Sequence, residues 1–176
     1  MFYYTEYTSP VGKLTIASDG NAVVGLWLNG QKYFLDTLSE LPTRNDALDI
    51  FDKTRQWLDL YFAGKHPDIR RLLLKPIGES FRQAVWKSLC DIPYGEVTTY
   101  GAIAKKVAVE LGRERMSAQA VGGAVGHNPI SIIIPCHRVV GAYGSLGGYA
   151  GGIDKKIKLL TLEGIDTDRF FAHKLK

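Results

Sequence analysis

The chain has 176 residues, 45% of them hydrophobic and 23% charged, a composition typical of one ordinary globular domain or two small ones. No apolar run approaches the ~20 residues that span a bilayer, and the N-terminus lacks the pattern of a signal peptide, so we expect a cytoplasmic protein without a membrane partner. With only two cysteines, Cys90 and Cys136, the sequence excludes a disulfide framework and a four-cysteine zinc site.

Charge is distributed unevenly along the chain. Residues 1–79 hold 9 Lys and Arg against 10 Asp and Glu, whereas residues 80–176 hold 13 against 8. The basic second part hints at a polyanionic partner such as nucleic acid. The imbalance alone does not decide the matter, because many proteins with a similar charge never bind nucleic acid.

The first third of the sequence predicts a small β-sheet followed by one helix. Aromatic and β-branched runs separated by turn residues predict strands at 2–8, 13–18 and 22–28, and Asn29-Gly30 predicts a tight hairpin turn that leads into 31–34. We expect Asp46 to cap a helix over residues 47–63. Residues 65–79, which contain Pro67, Pro76 and Gly78, are the predicted connection to a second unit.

From residue 80 onward the pattern becomes helical. Ser80, with a glutamine three positions later, has the pattern of a capping box at the start of a helix. Thr99 and Ser117 can each cap a further helix, over 100–111 and 118–126. Two helices joined by a short charged turn are typical of a helix-turn-helix, although helix pairs are common in proteins of every function.

The helix predicted over 118–126 carries almost no bulky side chains. Its alanines and glycines leave most faces bare, although each glycine costs ~1 kcal/mol relative to alanine in a helix interior. Close packing against another helix would offset that cost. Close approach of the backbone to a ligand surface, such as a DNA groove, would offset it equally well, and this segment alone does not choose between the two.

An apolar run over 130–134 leads into Pro135-Cys136-His137-Arg138 and predicts a buried strand with a thiol and an imidazole at its end. The thiolate is the nucleophilic form of cysteine, and neighbouring cations lower the pKa of a thiol below its ordinary value of ~8.5. The tetrad therefore predicts an activated Cys136. A buried structural cysteine is the alternative for an isolated residue, and it is our expectation for Cys90.

Six glycines in the twelve residues 141–152 predict a mobile wing or a pocket wall. The segment has neither the spacing of a dinucleotide-binding loop nor the lysine of a phosphate-binding loop. Asp154 then begins a last helix, which ends at Glu163-Gly164.

Together these motifs resemble the O6-alkylguanine-DNA alkyltransferase family. The matching motifs are Gly95-Glu96-Val97-Thr98-Thr99-Tyr100, Asn128-Pro129, Pro135-Cys136-His137-Arg138-Val139 and Gly148-Tyr149-Ala150-Gly151-Gly152. The resemblance covers about residues 80–164, while residues 1–79 match in layout only. It implies an α+β fold with a ribonuclease H-like domain of a small β-sheet plus a helix at 1–78, a mostly helical winged helix-turn-helix domain at 79–164 and a C-terminal tail at 165–176.

The resemblance implies direct reversal of DNA damage in a single irreversible turnover, with flipping of the damaged base. In the family a cysteine takes the alkyl group from O6-alkylguanine, and O4-alkylthymine is a further candidate substrate. A histidine, a carboxylate and a water drain the thiol proton, an asparagine fixes the thiol, and a tyrosine helps to protonate the departing guanine. The implied catalytic residues are Cys136, His137, Glu163, Asn128 and Tyr100.

The resemblance also implies a binding surface. Its substrate-binding residues are Val139, Tyr149, Ala150, Val125 and Gly122, and its DNA-binding residues are Ser117, Ala118, Gln119, Ala120 and Arg138. The implied partner is double-stranded DNA carrying O6-alkylguanine, bound by a monomer that needs neither a cofactor nor a metal. The family usually has an arginine at the position of Gln119, so we expect weaker DNA binding here, with Arg113 or Arg115 as candidates to compensate.

Three other classes of function compete with this interpretation. A non-catalytic sensor of alkyl lesions would share the fold but not the nucleophile, and a transcriptional regulator would need base-reading side chains that alanine and glycine do not supply. A Cys–His hydrolase would need Cys136 and His137 in direct contact, whereas adjacent residues of a strand point to opposite faces. The proton relay also needs these two residues close together, so we expect the strand to break at Pro135 or just after it.

Overall fold

The computed structural model describes residues 1–171, which form two compact units. The first unit comprises residues 1–78 together with 129–133, and the second comprises residues 79–128 and 134–171. The predicted domain boundaries did not include the contribution of 129–133 to the first unit. Within residues 1–171, no helix has the length and hydrophobicity needed to cross a bilayer.

The first unit is a four-stranded sheet with one long helix. The strands are ordered β3-β2-β1-β4, with β1, β2 and β3 antiparallel and β4 parallel to β1. Every residue of β3 is buried, which explains its nearly continuous apolar sequence. The bounds are β1 (Tyr3–Ser9), β2 (Gly12–Ser18), β3 (Val23–Leu28), β4 (Thr43–Arg44) and α1 (Asp49–Phe62).

Two details of the first unit differ from prediction. Helix α1 begins at Asp49 rather than at residue 47, and Asp46 does not cap it. The Asp46 carboxylate instead accepts hydrogen bonds from the Thr5 hydroxyl at 2.5 Å and the Arg44 guanidinium at 3.0 Å. Residues 31–34 form turns rather than a strand, because the buried Gln31 side chain accepts from the backbone N–H of Leu28 and closes the chain on itself.

The second unit is mostly helical. Helices α2, α3 and α4 pack on one another, and a two-stranded parallel ladder joins β5 to β6. The bounds are α2 (Ser80–Leu89), β5 (Thr98–Thr99), α3 (Tyr100–Glu110), α4 (Ala118–Gly126), β6 (Val139–Val140) and α5 (Ile153–Leu162). The first part of the predicted tail belongs to this unit, since Ile165 and Phe170 pack with Leu146 and Leu160. Residues 172–176 of that tail lie outside the described residues.

The helix caps of the second unit follow the sequence at two of three positions. The Thr99 hydroxyl accepts from the N–H of Ala102 at 3.1 Å, and the Ser117 hydroxyl accepts from the N–H of Ala120 at 3.2 Å, as predicted. The prediction of a capping box at Ser80 is wrong. Ser80 is the first helical residue, preceded by Glu79 at the N-cap with no side-chain cap bond.

The structure explains why helix α4 is built of small residues. One face is buried through Val121, Ala124 and Val125, and the Trp86 indole N–H donates to the Ala124 carbonyl at 2.8 Å. That contact requires the α4 backbone to approach α2 closely, which small residues allow. The opposite face is bare and exposed, so packing and close approach to a ligand concern different faces of the same helix.

The strand predicted over 130–134 is also wrong. Ile130 forms an isolated bridge to Leu26, and the next residues close local turns, with Ile132 in the left-handed region at φ 70°. A single 3₁₀ turn, Cys136–Arg138, then follows Pro135. Its backbone hydrogen bonds are local, which places consecutive side chains about a turn rather than on opposite faces of a strand.

Candidate active site

Cys136 lies at the start of the 3₁₀ turn with only 6% of its surface exposed. Burial raises the pKa of its thiol, and a hydrogen bond from the Asn128 side chain and the positive charge of Lys156 oppose that rise. The prediction that the neighbouring His137 and Arg138 side chains would bring the pKa below its ordinary value is wrong, because both are directed to Glu163 and His137 contributes only a backbone hydrogen bond. The resting cysteine is therefore a neutral thiol at neutral pH.

Asn128 holds the cysteine turn in place. It is buried directly after α4, and its Nδ2 donates to the carbonyl of Ile134 at 2.8 Å. The same side chain hydrogen-bonds the Cys136 sulfur. One amide therefore fixes both the backbone before the nucleophile and the nucleophile itself.

His137 and Glu163 form a fully buried pair. His137 Nε2 donates to Glu163 Oε2, and Glu163 is supplied by the C-cap of α5. Burial lowers the pKa of His137, while the carboxylate of Glu163 opposes that fall. Because the carboxylate accepts from Nε2, the neutral imidazole carries its hydrogen on Nε2 and its lone pair on Nδ1.

The second oxygen of Glu163 is also bound. Its Oε1 accepts from Arg138 Nε at 2.7 Å and from the backbone N–H of Gly95 at 3.1 Å. Burial alone would raise the pKa of this carboxyl, but His137 and Arg138 together hold it at about 2. Glu163 is therefore an anion at every pH at which the protein is expected to work.

Arg138 is placed in this buried network rather than on a DNA-facing surface. Only 8% of the residue is exposed, its Nη1 donates to the Ile92 carbonyl at 2.7 Å, and its guanidinium lies 5.7 Å from the centre of the Tyr94 ring. These contacts leave the guanidinium no access to a phosphate. Its predicted role as a DNA contact does not fit this burial.

Tyr100, the first residue of α3, lies between α4 and the glycine-rich segment. Burial raises the pKa of its phenol, and the charge of Cys136 raises it further, so the phenol keeps its proton at neutral pH. A methyl group at Gly122 would contact the ring at 3.8 Å, and one at Gly147 would lie 2.9 Å from the phenol oxygen. Gly147 also has a φ of 75°, so both space and backbone conformation favour glycine there.

Lys156 is a site residue that the sequence interpretation missed. It is fully buried, and its Nζ donates to the carbonyls of Val139 at 2.6 Å and Gly148 at 3.1 Å. Burial lowers its pKa to about 8, and the proximity of Cys136 opposes that fall. The available signal was its position on α5, three residues after Ile153 and four before Leu160, on the apolar face of the helix.

The predicted substrate-binding residues occupy two environments. Val139 and Val125 are buried, and Val139 pairs with Thr98 in the parallel ladder. Tyr149 and Ala150 are half-buried in the glycine-rich segment. Hydrogen bonds between Phe171 and the residues on either side of Ser145 anchor this segment, which favours a pocket wall over a mobile wing.

The predicted DNA-binding residues other than Arg138 form one continuous exposed surface. It comprises the N-cap and first turn of α4, namely Ser117, Ala118, Gln119 and Ala120. Arg113 and Arg115 are exposed in the turn just before it. The first turn of a helix also directs free backbone N–H groups outward, which suits an anionic partner.

Comparisons with known proteins cover both units of the chain. The family model for the DNA-binding domain of 6-O-methylguanine DNA methyltransferase matches residues 80–165, and the model for its ribonuclease-like domain matches residues 2–76. The methylated-DNA–protein-cysteine methyltransferase of Haemophilus influenzae is 42% identical over 163 residues, which are 93% of this chain and 87% of that protein. The protein of the same name from Methanosarcina barkeri is 42% identical over 165 residues, 92% of this chain and 96% of that one.

Solved structures agree with these matches. The crystal structure of Mycobacterium tuberculosis OGT in complex with DNA has a TM-score of 0.79 at 39% identity and covers 96% of this chain and 94% of that chain. An O6-methylguanine DNA methyltransferase from Methanococcus jannaschii has a TM-score of 0.63 at 32% identity, with 98% and 100% covered. The predicted resemblance and α+β fold class are confirmed. The chain belongs to the 6-O-methylguanine DNA methyltransferase family.

Proposed function

We propose that this protein is a methylated-DNA–protein-cysteine methyltransferase that repairs DNA by moving the alkyl group of O6-alkylguanine onto its own Cys136. The observation that carries the proposal is the buried Cys136 thiol on a turn whose next residue, His137, is paired with Glu163. The relatives from Haemophilus influenzae and Methanosarcina barkeri, which bear that enzyme name, support the same activity.

The reaction is a displacement at the alkyl carbon. The sulfur of Cys136 forms a bond to that carbon while the bond from the carbon to O6 breaks, and its electron pair leaves with the guanine. A thiolate is a soft nucleophile suited to an sp³ carbon. The thioether product has no leaving group comparable to guanine, so the transfer is irreversible and each molecule acts once.

The thiol must lose its proton for this attack. Because burial keeps Cys136 protonated at neutral pH, a base is needed within the site. The lone pair on His137 Nδ1 takes the proton through a water, while Glu163 stabilises the imidazolium that results. The electrostatic role of the carboxylate follows from its permanent negative charge.

Tyr100 supplies the acid. Its raised pKa keeps the phenol protonated until charge develops on the departing guanine, to which it donates. The phenolate recovers its proton after release by way of solvent, as His137 gives up the proton that came from the thiol. Protons and charges therefore balance over the turnover.

The damaged base must leave the duplex to reach Cys136, at a cost of a few kcal/mol that is smaller for a weakened pair. We assign the bare, exposed face of α4 to the minor groove and Gln119 to part of the space that the base vacates. Val139, Tyr149 and Ala150 are the proposed wall of the pocket for the flipped guanine. All proposed catalytic residues come from one chain, so a monomer suffices.

Mass spectrometry after incubation with duplex DNA containing O6-methylguanine tests the proposal. The expected result is a gain of one methyl group on the peptide that contains Cys136, abolished by Cys136→Ser. Cys90→Ser is the matched control, because this second cysteine is partly buried in α2's C-cap with a pKa raised to about 11, and its replacement should leave the transfer intact. Tight binding of the lesion with no gain of mass would favour a lesion sensor instead.

A further inference from the structure

One carboxylate, Glu163, is shared between a histidine and an arginine. His137 binds one of its oxygens, and Arg138 binds the other at 2.7 Å. The two cationic or basic side chains are consecutive in the sequence, and the 3₁₀ turn brings both to the same partner. Arg138 is further fixed by the Ile92 carbonyl at 2.7 Å and by the Tyr94 ring.

The ion pair between Arg138 and Glu163 changes the electrostatic environment of His137. A buried carboxylate next to an imidazole raises the pKa of that imidazole, and a ring that already carries a proton on both nitrogens cannot accept another. With the Arg138 guanidinium bound to its other oxygen, the charge of Glu163 is partly neutralised, and its effect on the pKa of His137 is weaker. Arg138 and Lys156 both act to lower the pKa of His137, in the same direction as burial and against Glu163.

We propose that Arg138 is a positioning residue that neutralises Glu163, so that His137 rests as a neutral imidazole able to accept the thiol proton. The inference rests on the proposed alkyl transfer to Cys136. The groups that face Glu163 are His137 and Arg138 from the cysteine turn, with the Tyr94 phenol and the Gly95 N–H from the loop after α2.

The proton path follows from this arrangement. The S–H bond of Cys136 breaks and its proton moves through the water to His137 Nδ1. The electron pair left on the sulfur forms the S–C bond, while the bond from that carbon to O6 breaks and its electron pair leaves with the guanine. Glu163 stays deprotonated throughout because Arg138 and Gly95 occupy the oxygen that His137 does not. The Arg138 guanidinium thus keeps the thiol proton on His137 and prevents its transfer to the Glu163 carboxylate.

The test is the pH dependence of benzyl transfer from free O6-benzylguanine, a substrate that avoids effects of pH on DNA binding. Arg138→Gln keeps a hydrogen-bond donor but removes the charge, and Arg138→Lys keeps the charge. The transfer rate depends on the fraction of His137 that is neutral. Loss of the Arg138 charge should raise the pKa of His137, so the acid limb of the pH–rate profile should move to higher pH by about one unit in Arg138→Gln, the shift expected from one nearby charge. Arg138→Lys should stay near the wild-type limb, as should Arg169→Gln, which removes an exposed arginine of the same unit.

On the acid limb the Arg138→Gln rate should fall about tenfold, whereas above the limb it should approach the wild-type rate. An unchanged limb, or a rate lowered by the same factor at every pH, would overturn the proposal. Should Arg138→Gln fail to fold, NMR of the wild-type His137 ring decides, with its signal identified by its loss in His137→Asn. A neutral ring at neutral pH supports the proposal, and an imidazolium refutes it. Failure of the wild type to gain a benzyl group would refute the alkyl transfer itself.

Discussion

Replacement of Glu163 by glutamine should destabilise the protein in a pH-dependent manner. The carboxyl is buried, and its partners lower its pKa from 4.5 to about 2. At 1.36 kcal/mol per unit, the carboxylate contributes about 3 kcal/mol of stability at neutral pH. Because the folded-state pKa is the lower one, this contribution is complete above pH 4.5, the unfolded value, and is lost as the pH falls toward 2. The variant also leaves the Arg138 guanidinium buried without its counterion.

Urea unfolding at neutral pH and at a series of acid pH values measures this effect. We expect Glu163→Gln to lose about 3 kcal/mol of unfolding free energy at neutral pH and the gap from the wild type to narrow as the pH falls below 4.5. Glu96→Gln, at an exposed carboxylate in the same unit, should stay within about 0.5 kcal/mol of the wild type. A gap that is constant across the pH series would refute the electrostatic origin of the stabilisation.

Three further predictions concern catalysis and DNA binding. Lys156→Met should slow benzyl transfer to Cys136 about tenfold by removing the cation near the thiolate, and stopped-flow rates should show a smaller defect above pH 8, where the wild-type ammonium has lost its charge. Gly147→Ala should slow the same reaction because a methyl group would meet the Tyr100 phenol, whereas Gly148→Ala, with nothing within 4 Å, should not; equal rates for the two would contradict this. Gln119→Arg should tighten binding to duplex DNA and steepen its dependence on salt by about one charge, and an unchanged slope in titrations at several salt concentrations would exclude a phosphate contact.

Sequence alone predicted those features that depend only on residues close together in the chain, such as helix N-caps. The caps at Thr99 and Ser117 were predictable because a hydroxyl before a helix satisfies an N–H two or three residues later, whatever surrounds it. The same logic failed at Asp46, since a residue 41 positions away, Thr5, supplies its partner. Apolar content alone also predicted a strand at 130–134, although these residues are buried in turns.

Interactions over long sequence separations account for what was missed in the site. The direction of Arg138 depends on Glu163, 25 residues later, and on the Ile92 carbonyl, 46 residues earlier, so neighbours in the sequence could not reveal it. The same holds for the thiol, whose surroundings were judged from adjacent residues. Lys156 is the exception, because a lysine on the apolar face of α5 was visible from helical spacing.

The charges of the site explain why a buried, neutral thiol is suited to this chemistry. Moving a proton from Cys136 to His137 creates two charges but leaves the total charge of the site unchanged. Each new charge arises beside a fixed opposite one: the thiolate near Lys156, and the imidazolium against Glu163. Such counterions are effective in a buried site because they need no reorganisation when the charges form. Burial lowers the pKa of the Lys156 ammonium to about 8, so its charge is costly to bury, and the thiolate is the anion beside it that offsets this cost when the nucleophile ionises.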